Sequence, residues 1–498
     1  MNKISRRKFI KHSFAAASAF AISAKGRGAD LNSEVRLAIV GLGGIDVVGG
    51  VGGRGRQLIA RFLQVPGARI TALCDIDKTI LEHGARLLKE KGHDVATHAD
   101  FRRVLDDKKI DAVILATPNH WHGLGTIWAC QAGKDVYVEK PFSYNIWEGR
   151  QMVAAATKHG RIVQTGTQRR SSFILPEAFE YLRRGGLGHV QFGHALVYRA
   201  RAGIGKVASP TPIPAGVDYD LWCGPAPKGP LMRNQLHYEW HWFWDMGNGE
   251  MGNNGVHMTD ICRWALGQAG PPPRAMSIGG RFAFDDAGET PNVQIAMFDY
   301  KPAPIICEIR NVSSDAAKKS PGTMGKFKNT DRGIVIVCEG GHLAADYTGA
   351  AAFDNHGKQI KEFKDGRKSG EIEAAHAINF LNAVRTRKAE SLAAGPTVGH
   401  VSAACCHMAN ISHRIGRETP PAEIAEKVRA VSDLAETFDR CRDYLMKNGV
   451  DIGRTPAVLG PWVTYDGKLE RFTGEYADRA NQLSQREGRA PFVIPKIV

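Results

Sequence analysis

A lysine and a histidine in this sequence are placed as a site that oxidises a hydroxyl group would need them. Lys140 lies in the run Tyr137-Val138-Glu139-Lys140-Pro141-Phe142, which follows an apolar segment at 111–117 with the pattern of a buried parallel strand. An ammonium group beside an alcohol oxygen stabilises the negative charge that develops as the proton leaves. His257 is of the type that best accepts such a proton near neutral pH. A surface lysine and a structural histidine are the alternatives.

Residues 41–56 form a glycine-rich segment between a predicted strand at 35–41 and a predicted helix at 57–63. Glycines let a backbone approach a pyrophosphate, whose charge then faces the helix N-terminus. Two arrangements are open, besides a flexible loop. Either Gly41 and Gly43 form the tight turn and the residues after them bulge outward, or a second set of glycines forms it. That set is Gly50, Gly52 and Gly55, which fit G-x-G-x-x-G, with Gly53, Arg54 and Arg56 beside them.

Asp75 ends the next predicted strand, at 69–75, about 20 residues after Gly55. A carboxylate in this place accepts hydrogen bonds from the ribose hydroxyls of an adenosine. Because it would also repel a 2′-phosphate, the sequence favours NAD over NADP as the cofactor. Asp77 is predicted to cap the following helix, at 78–91, and a capping role is also the alternative for Asp75.

Strands and helices alternate from residue 35 to residue 166, which predicts a Rossmann-type, doubly wound parallel sheet. The further strands of this part are predicted at 111–117, 134–138 and 161–166, with helices at 121–133 and 144–159. After residue 167, longer strand-like runs predict an α/β domain with a large, open, mostly antiparallel sheet. Its strands are predicted at 189–199, 274–284, 291–300, 304–312 and 333–338, and its helices at 173–184, 256–266, 373–387 and 397–416. Segments 313–331 and 354–372 are predicted to be loops.

The run from Leu236 to Trp244 alternates polar and aromatic residues. Aromatic rings pack well against the C–H faces of sugars. The run is therefore predicted to be a strand that lines a carbohydrate site, with a buried aromatic strand as the alternative. The predicted substrate-binding residues in it are Tyr238, Trp240, Trp242 and Trp244. His237 and His241 have no acid or cysteine at a familiar spacing, so no metal site is predicted.

The N-terminus has the composition of an export signal. The formal net charge is +15, and residues 1–29 contribute seven of the basic residues and no acid. Arg6 and Arg7 precede a short apolar stretch, Phe14 to Ile22, as in a twin-arginine signal, which exports folded proteins. The nine cysteines are scattered without a Cys-x-x-Cys pair, which fits folding before transport. The sequence contains no basic cluster for a nucleic acid and no other apolar stretch long enough to cross a membrane.

Several motifs resemble those of the Gfo/Idh/MocA oxidoreductases. The most specific is Ala132-Gly133-Lys134-Asp135-Val136-Tyr137-Val138-Glu139-Lys140-Pro141, and others are Ala116 to His122, Gln164 to Gln168, Asp218 to Pro225, His241 to Asp245 and Gly252 to His257. The resemblance covers roughly residues 35–480. It implies an NAD-binding Rossmann domain at 35–166 and a substrate and oligomerisation domain at 167–420. The composition adds a signal segment at 1–29 and a helical and wrapping tail at 421–498. A homo-oligomer is expected, because open sheets of this kind usually find a partner.

The resemblance also implies roles for individual residues. Lys140 would lie beside the nicotinamide and the substrate hydroxyl, and His257 matches the general acid/base histidine. Many members carry an aspartate four residues before that histidine, where this chain has Asn253, which can hold a hydroxyl but cannot take its proton. Further expected cofactor contacts are Thr117, Pro118, Asn119, His122, Glu139 and Gln168, and Arg169 is an expected substrate contact.

An exported enzyme of this kind meets little free NAD, so the cofactor is expected to be held tightly and recycled within each turnover. The leading prediction is an oxidoreductase acting on a secondary alcohol of a sugar, cyclitol or glycoside. The alternative is an NAD-dependent glycosidase that passes through a transient 3-keto sugar, with elimination, hydration and re-reduction. A non-catalytic sugar-binding protein is the second alternative. The expected partners are the carbohydrate or cyclitol substrate and the twin-arginine export machinery, and the protein is expected to be periplasmic or otherwise exported.

Overall fold

The computed structural model describes residues 33–44, 52–313, 324–346 and 348–497. The predicted signal segment 1–29 lies outside the described residues, as do Gly50 and almost all of the insert 44–50. No helix among the described residues is long and apolar enough to cross a membrane. The nine cysteines are all described, and each is buried as a free thiol.

Six parallel strands form the first sheet, in the order β3-β2-β1-β4-β5-β6. The strands are β1 (Val35–Val40), β2 (Ala68–Cys74), β3 (Ala96–His98), β4 (Ala112–Leu115), β5 (Asp135–Val138) and β6 (Val163–Thr165). Every residue of β4 and β5 is buried, as expected for parallel strands covered on both faces. The predicted doubly wound sheet is confirmed. Its strand order reverses between β1 and β4, the point at which such sheets bind ligands.

Helices cover both faces of this sheet. Those within its sequence are α1 (Arg54–Phe62), α2 (Lys78–Glu90), α3 (Phe101–Asp106), α4 (Asn119–Gln131) and α5 (Ile146–Lys158). Asp77 caps α2 as predicted, since its carboxylate accepts hydrogen bonds from the N–H groups of Thr79 and Ile80. A later helix, residues Ser369–Thr386, also packs on this sheet, where Phe380 contacts the rings of Phe62 and Tyr137.

Twelve strands form the second sheet, which is antiparallel except for the parallel pair β7 and β10 within the described residues. Its strands are β7 (Val190–Tyr198), β8 (Arg274–Gly280), β9 (Val293–Phe298), β10 (Ile305–Arg310), β11 (Arg332–Cys338), β12 (Gly341–Ala345), β13 (Ala350–Phe353), β14 (Gln359–Phe363), β15 (Arg417–Thr419), β16 (Ala457–Leu459), β17 (Val463–Asp466) and β18 (Arg471–Thr473). The predicted mostly antiparallel sheet is confirmed.

Helices pack on both faces of the second sheet. The remaining helices are α6 (Leu175–Arg183), α7 (Tyr219–Cys223), α8 (Val256–Ala265), α9 (Ser369–Thr386, named above), α10 (Pro396–Ile415), α11 (Pro421–Val428), α12 (Ser432–Lys447) and α13 (Ala477–Leu483). One face packs against α6, α8 and α10. Apolar residues of α11 and α12 cover the other face over the central strands. Helices α11 and α12 of the same chain therefore cover much of the open sheet face that was predicted to bind a partner. The oligomeric state stays a prediction.

Two local predictions are wrong. Residues 354–372 were expected to be a loop, but β14 and the start of α9 lie there. The strand β14 is an edge strand with four of its five residues exposed, so its polar sequence lacks the usual apolar alternation. The run from Leu236 to Trp244 is not a strand but a loop with a 3-10 turn at Glu239–Trp242. The turn is closed by a hydrogen bond from the Trp240 indole to the carbonyl of His237, at 3.1 Å.

Among the described residues, Gly41 and Gly43 form the tight turn, as in the first of the two open arrangements. Gly41 and Gly43 directly follow β1 with φ of +83° and +85°, values that favour glycine. A Cβ on Gly43 would lie 1.5 Å from the carbonyl oxygen of Gly52, so the backbones of these two glycines are in close contact. Helix α1 begins at Arg54, and a Cβ on Gly55 would lie 2.0 Å from the carbonyl oxygen of Gly41. Gly55 therefore allows the helix to pack on the tight turn.

Replacing Gly55 by alanine tests this packing. Alanine improves helix propensity by about 1 kcal/mol, but an overlap with a fixed backbone carbonyl costs about 1–3 kcal/mol. We expect Gly55→Ala to lower the melting temperature and to weaken NADH binding about tenfold or more, measured by fluorescence titration. Gly229→Ala is the matched control, because nothing lies within 4 Å of its added Cβ. Wild-type melting and NADH binding in Gly55→Ala would contradict the arrangement.

Candidate active site

A cavity of about 420 Å³ lies at the carboxyl ends of the strands of the first sheet, between that sheet and segments of the second part of the chain. It is lined by many of the predicted site residues, namely Gly41, Gly43, Gly52, Arg54, Asp75, Thr117, Pro118, Asn119, Glu139, Lys140, Tyr238, Trp240 and Asn253. Residues from both parts of the sequence therefore meet in one site.

Asp75 lies at the end of β2 and contacts the glycine turn. Its two carboxylate oxygens accept hydrogen bonds from the N–H of Leu42, at 2.7 Å, and of Asp77, at 3.1 Å. Burial raises the pKa of Asp75, while these N–H donors favour the charged form. The neighbouring cap Asp77 contacts His237 at 2.9 Å through its second oxygen. Asp75 thus faces the cavity next to the turn, with lone pairs left for further donors.

Arg54 and Glu139 join the first helix to the loop after β5. The guanidinium Nε of Arg54 donates to Glu139 Oε1 at 2.7 Å, and the N–H of Lys140 donates to Oε2 at 3.2 Å. Burial alone would raise the pKa of Glu139, but Arg54 and Lys140 hold it below its usual value. Gly166 leaves room for this carboxylate, since a Cβ there would lie 2.8 Å from Oε1. The ion pair fixes the backbone that carries Lys140.

Lys140 points its ammonium group at Asn253. The Nζ atom donates to Asn253 Oδ1 at 2.7 Å, across 113 residues of sequence. Burial lowers the pKa of Lys140 to about 8, and the negative charges of Glu139 and Glu250 prevent a larger fall. An ammonium group has three donors, so Lys140 can hold Asn253 and still donate to an oxygen in the cavity.

Glu250, which the sequence analysis missed, holds the amide of Asn253. Its side chain has no exposed surface, and it accepts hydrogen bonds from Asn253 Nδ2 at 3.1 Å and from Asn254. Arg201 contacts both carboxylate oxygens at 3.1 Å and also donates to the hydroxyl of Tyr238 at 2.9 Å. Burial alone would raise the pKa of Glu250, but Arg201 and the amide donors lower it. A single glutamate within Gly249-Glu250-Met251 gives no sequence pattern that would have identified it.

Two buried imidazoles accompany Lys140. His257 is in the first turn of α8, does not line the cavity, and its Nδ1 has no hydrogen-bond partner among the described residues. Burial and the charges of Lys140 and Arg169 hold its pKa well below the usual value. His241 lines the cavity, with Nδ1 at 2.9 Å from the carbonyl of Tyr238 and no described partner at Nε2. Burial lowers the pKa of His241 to about 4. Both rings are neutral near pH 7 and can accept a proton.

His122, an expected cofactor contact, lies behind the cavity rather than on its wall. Its two ring nitrogens contact the carbonyl oxygens of Pro141, at 2.7 Å, and Thr117, at 3.0 Å. These carbonyls belong to the loops after β5 and β4. Since a neutral imidazole has one N–H, His122 donates to one of these carbonyls and packs between the two loops.

Gln168 and Arg169 are also buried outside the cavity lining, on the 3-10 turn Gln168–Ser171. Arg169 contacts the sulfur of Met258 at 3.2 Å, and Gln168 Oε1 has no described hydrogen-bond partner. The turn is anchored to α8 by an ion pair between Arg170 and the buried Asp260, at 2.8 Å. Both predicted residues thus adjoin the helix that carries His257.

The predicted aromatic residues separate into two groups. Tyr238 and Trp240 line the cavity. Trp242 is buried under the guanidinium of Arg281, 4.7 Å from the ring centre, and Trp244 contacts Arg414 at 5.2 Å. Neither Trp242 nor Trp244 lines the cavity, because the 3-10 turn points successive side chains in different directions instead of along one strand face.

The residues present fit a dinucleotide at the glycine turn. Any Cβ on Gly41 would lie within about 3 Å of the Ala116 and Thr117 backbone, so the turn stays bare and close to the loop after β4. The N-terminus of α1 and the acid Asp75 flank it, as a pyrophosphate and an adenosine ribose require. Within the described ranges no group of three or more histidines, cysteines or acids is placed to hold a metal ion.

Comparison with curated proteins gives matches to part of the chain. A glycosyl hydrolase family 109 protein of Shewanella sp. (strain ANA-3) is 30% identical over 180 residues, which cover 31% of this chain and 38% of that relative. Inositol 2-dehydrogenase 1 of Saccharopolyspora erythraea is 32% identical over 139 residues, covering 28% and 40%. The match thus spans less than half the length of these relatives.

A levoglucosan dehydrogenase, solved with NADH and levoglucosan, shares the fold at a TM-score of 0.53 and 16% identity, over 76% of this chain and 96% of that one. Family profiles extend the match. Residues 35–167 match the oxidoreductase family, NAD-binding Rossmann fold, and residues 201–332 match its C-terminal alpha/beta domain. Since the two profiles together cover more than half of the sequence and agree with both sheets, the chain belongs to the Gfo/Idh/MocA oxidoreductase family.

Proposed function

We propose that this protein is an NAD-dependent oxidoreductase that acts on a secondary hydroxyl group of a sugar, cyclitol or glycoside. The observation that carries the proposal is the contact of Lys140 Nζ with Asn253 Oδ1, at 2.7 Å, in the wall of the cavity that the glycine turn and Asp75 also line. A buried ammonium group at a dinucleotide site suits the stabilisation of an alkoxide.

The side chains around the cavity have different roles in the proposed reaction. With a pKa of about 8, Lys140 is mainly protonated at neutral pH and donates to the substrate oxygen. Asn253 holds Lys140 in place, and Glu250 holds Asn253. A neutral imidazole accepts the hydroxyl proton. The family resemblance assigns this role to His257, which lies behind the cavity wall, whereas His241 is the imidazole that lines the cavity. Bound NAD supplies the acceptor for the electron pair of the carbinol carbon.

A redox glycosidase is the second candidate. Asn253 favours it, because an amide in this place holds a hydroxyl without taking its proton. Several of the matching relatives carry the name glycosyl hydrolase family 109. In that reaction a ketone next to a C–H bond acidifies it, so that a neutral imidazole removes the proton and the aglycone leaves. Release of the aglycone without net NADH separates this candidate from a dehydrogenase.

We also infer that the protein is exported through the twin-arginine pathway with its cofactor bound, and that the cofactor is NAD. The sequence around Arg6 and Arg7 supports export, and the Asp75 carboxylate supports NAD because it would repel a 2′-phosphate. Protein recovered from the periplasm should release about one NAD(H) per chain on denaturation, measured by mass spectrometry. Recovery only from the cytoplasm would contradict export, and release of NADP(H) would contradict the cofactor assignment.

Lys140→Ala tests the function. We expect turnover of sugars, inositols or aryl glycosides to fall about a thousandfold or more, measured both as NADH absorbance and as released aglycone. The melting temperature and NADH binding should stay near wild type, since the Arg54–Glu139 pair remains. Lys78→Ala is the control, because that lysine side chain is 75% exposed. An active Lys140→Ala protein would contradict the assignment.

A further inference from the structure

Two arginines follow β7 and face the cavity. The backbone after β7 stays extended, because the N–H groups of Arg199 and Arg201 donate to the carbonyls of Arg310 and Asn311, each at 2.9 Å. Asn311 Nδ2 returns a bond to the carbonyl of Arg199 at 2.8 Å. Residues two apart on an extended segment point the same way, and both side chains line the cavity.

The two arginines differ in their partners. Arg201 holds Glu250 and Tyr238 through its terminal nitrogens, whereas its buried Nε has no acceptor among the described residues. The guanidinium of Arg199 has neither an ion pair nor a hydrogen bond within the described part of the chain. Arg199 is only partly exposed. The cavity wall therefore carries one guanidinium, that of Arg199, that has no acceptor among the described residues.

The charges near these donors do not balance. Glu139 is paired with Arg54, and Glu250 with Arg201. Lys140 contacts an uncharged amide, and Arg199 contacts no acid, so two cations remain without a dedicated carboxylate. An arginine stays protonated at any ordinary pH, and oxidised nicotinamide is itself a cation. A partly desolvated, unpaired guanidinium favours an anionic group on the bound molecule.

We propose that the guanidinium of Arg199 binds a carboxylate of the substrate, and that the substrate is a hexuronic acid or its glycoside. This inference rests on the proposed function for the position of the sugar. A planar guanidinium matches a carboxylate with two parallel hydrogen bonds. A neutral sugar would leave the donors of Arg199 to water or to single hydroxyl oxygens, which bind a guanidinium more weakly.

The test compares ligands of equal shape and different charge. The protein loaded with NADH, which cannot accept a hydride from the ligand, is titrated calorimetrically with D-glucuronate, D-galacturonate and D-mannuronate, each beside its neutral C6 amide, and with glucose 6-phosphate. We expect at least one acid to bind about tenfold or more tightly than its amide. Arg199→Gln should abolish that preference. Arg332→Gln is the matched control, since Arg332 is an exposed neighbour that does not line the cavity, and it should keep the preference.

Each result decides the inference. Equal binding of every acid and its amide in the wild type, or a preference that survives Arg199→Gln, overturns it. Tighter binding of glucose 6-phosphate than of any hexuronate overturns the choice of a carboxylate. Binding is measured without turnover, so the two proposals fail separately. If the preference for the acid is kept but no sugar is turned over, only the proposed activity is overturned. If neutral sugars are turned over and no preference for an acid is found, only this inference is overturned.

Discussion

The buried carboxylate of Glu250 is the group on which the geometry of this site depends. A carboxylate with no exposed surface must be paired, and removing one partner of such a pair costs about 3–5 kcal/mol. Glu250 forms an ion pair with Arg201, from the segment after β7, and accepts hydrogen bonds from the amides of Asn253 and Asn254. These amides belong to the π-helical turn Met251–Gly255 that leads into α8. Such turns recur at functional sites, because the wider backbone redirects side chains.

The same network joins the two sheets. Lys140 comes from the loop after β5 of the first sheet, and its contact Asn253 comes from the turn that Glu250 fixes. Arg54 and Glu139 hold the backbone of Lys140 from the other side. The cavity is thus lined by the glycine turn and Asp75 from the first part of the chain and by Arg199, Arg201 and Tyr238 from the second. Lys140 lies where these two parts of the chain meet.

The sequence predicted the first sheet well, because its strands are buried on both faces and appear as short apolar runs such as 111–117. It missed β3, whose three residues are not buried, and β14, whose polar face is exposed. Asp75 and Lys140 could be predicted because each follows a recognisable strand. Glu250 could not, since its pairing with Arg201 spans 49 residues and depends on tertiary packing. The alternation of polar and aromatic residues from Leu236 to Trp244 was misleading, because this segment forms a loop with a 3-10 turn instead of the predicted strand.

The pH dependence of turnover in the wild type and in Glu250→Gln tests the central role of this network most directly. If protonated Lys140 is required, kcat/KM is constant below the pKa of Lys140 and falls as the pH rises through about 8. The charge of Glu250 raises that pKa, so its removal should move the falling limb to lower pH. Glu239→Gln, which removes a buried carboxylate that does not act on Lys140, should leave the limb in place. A limb that stays near pH 8 in Glu250→Gln, or activity that rises through pH 8 in the wild type, would contradict the account.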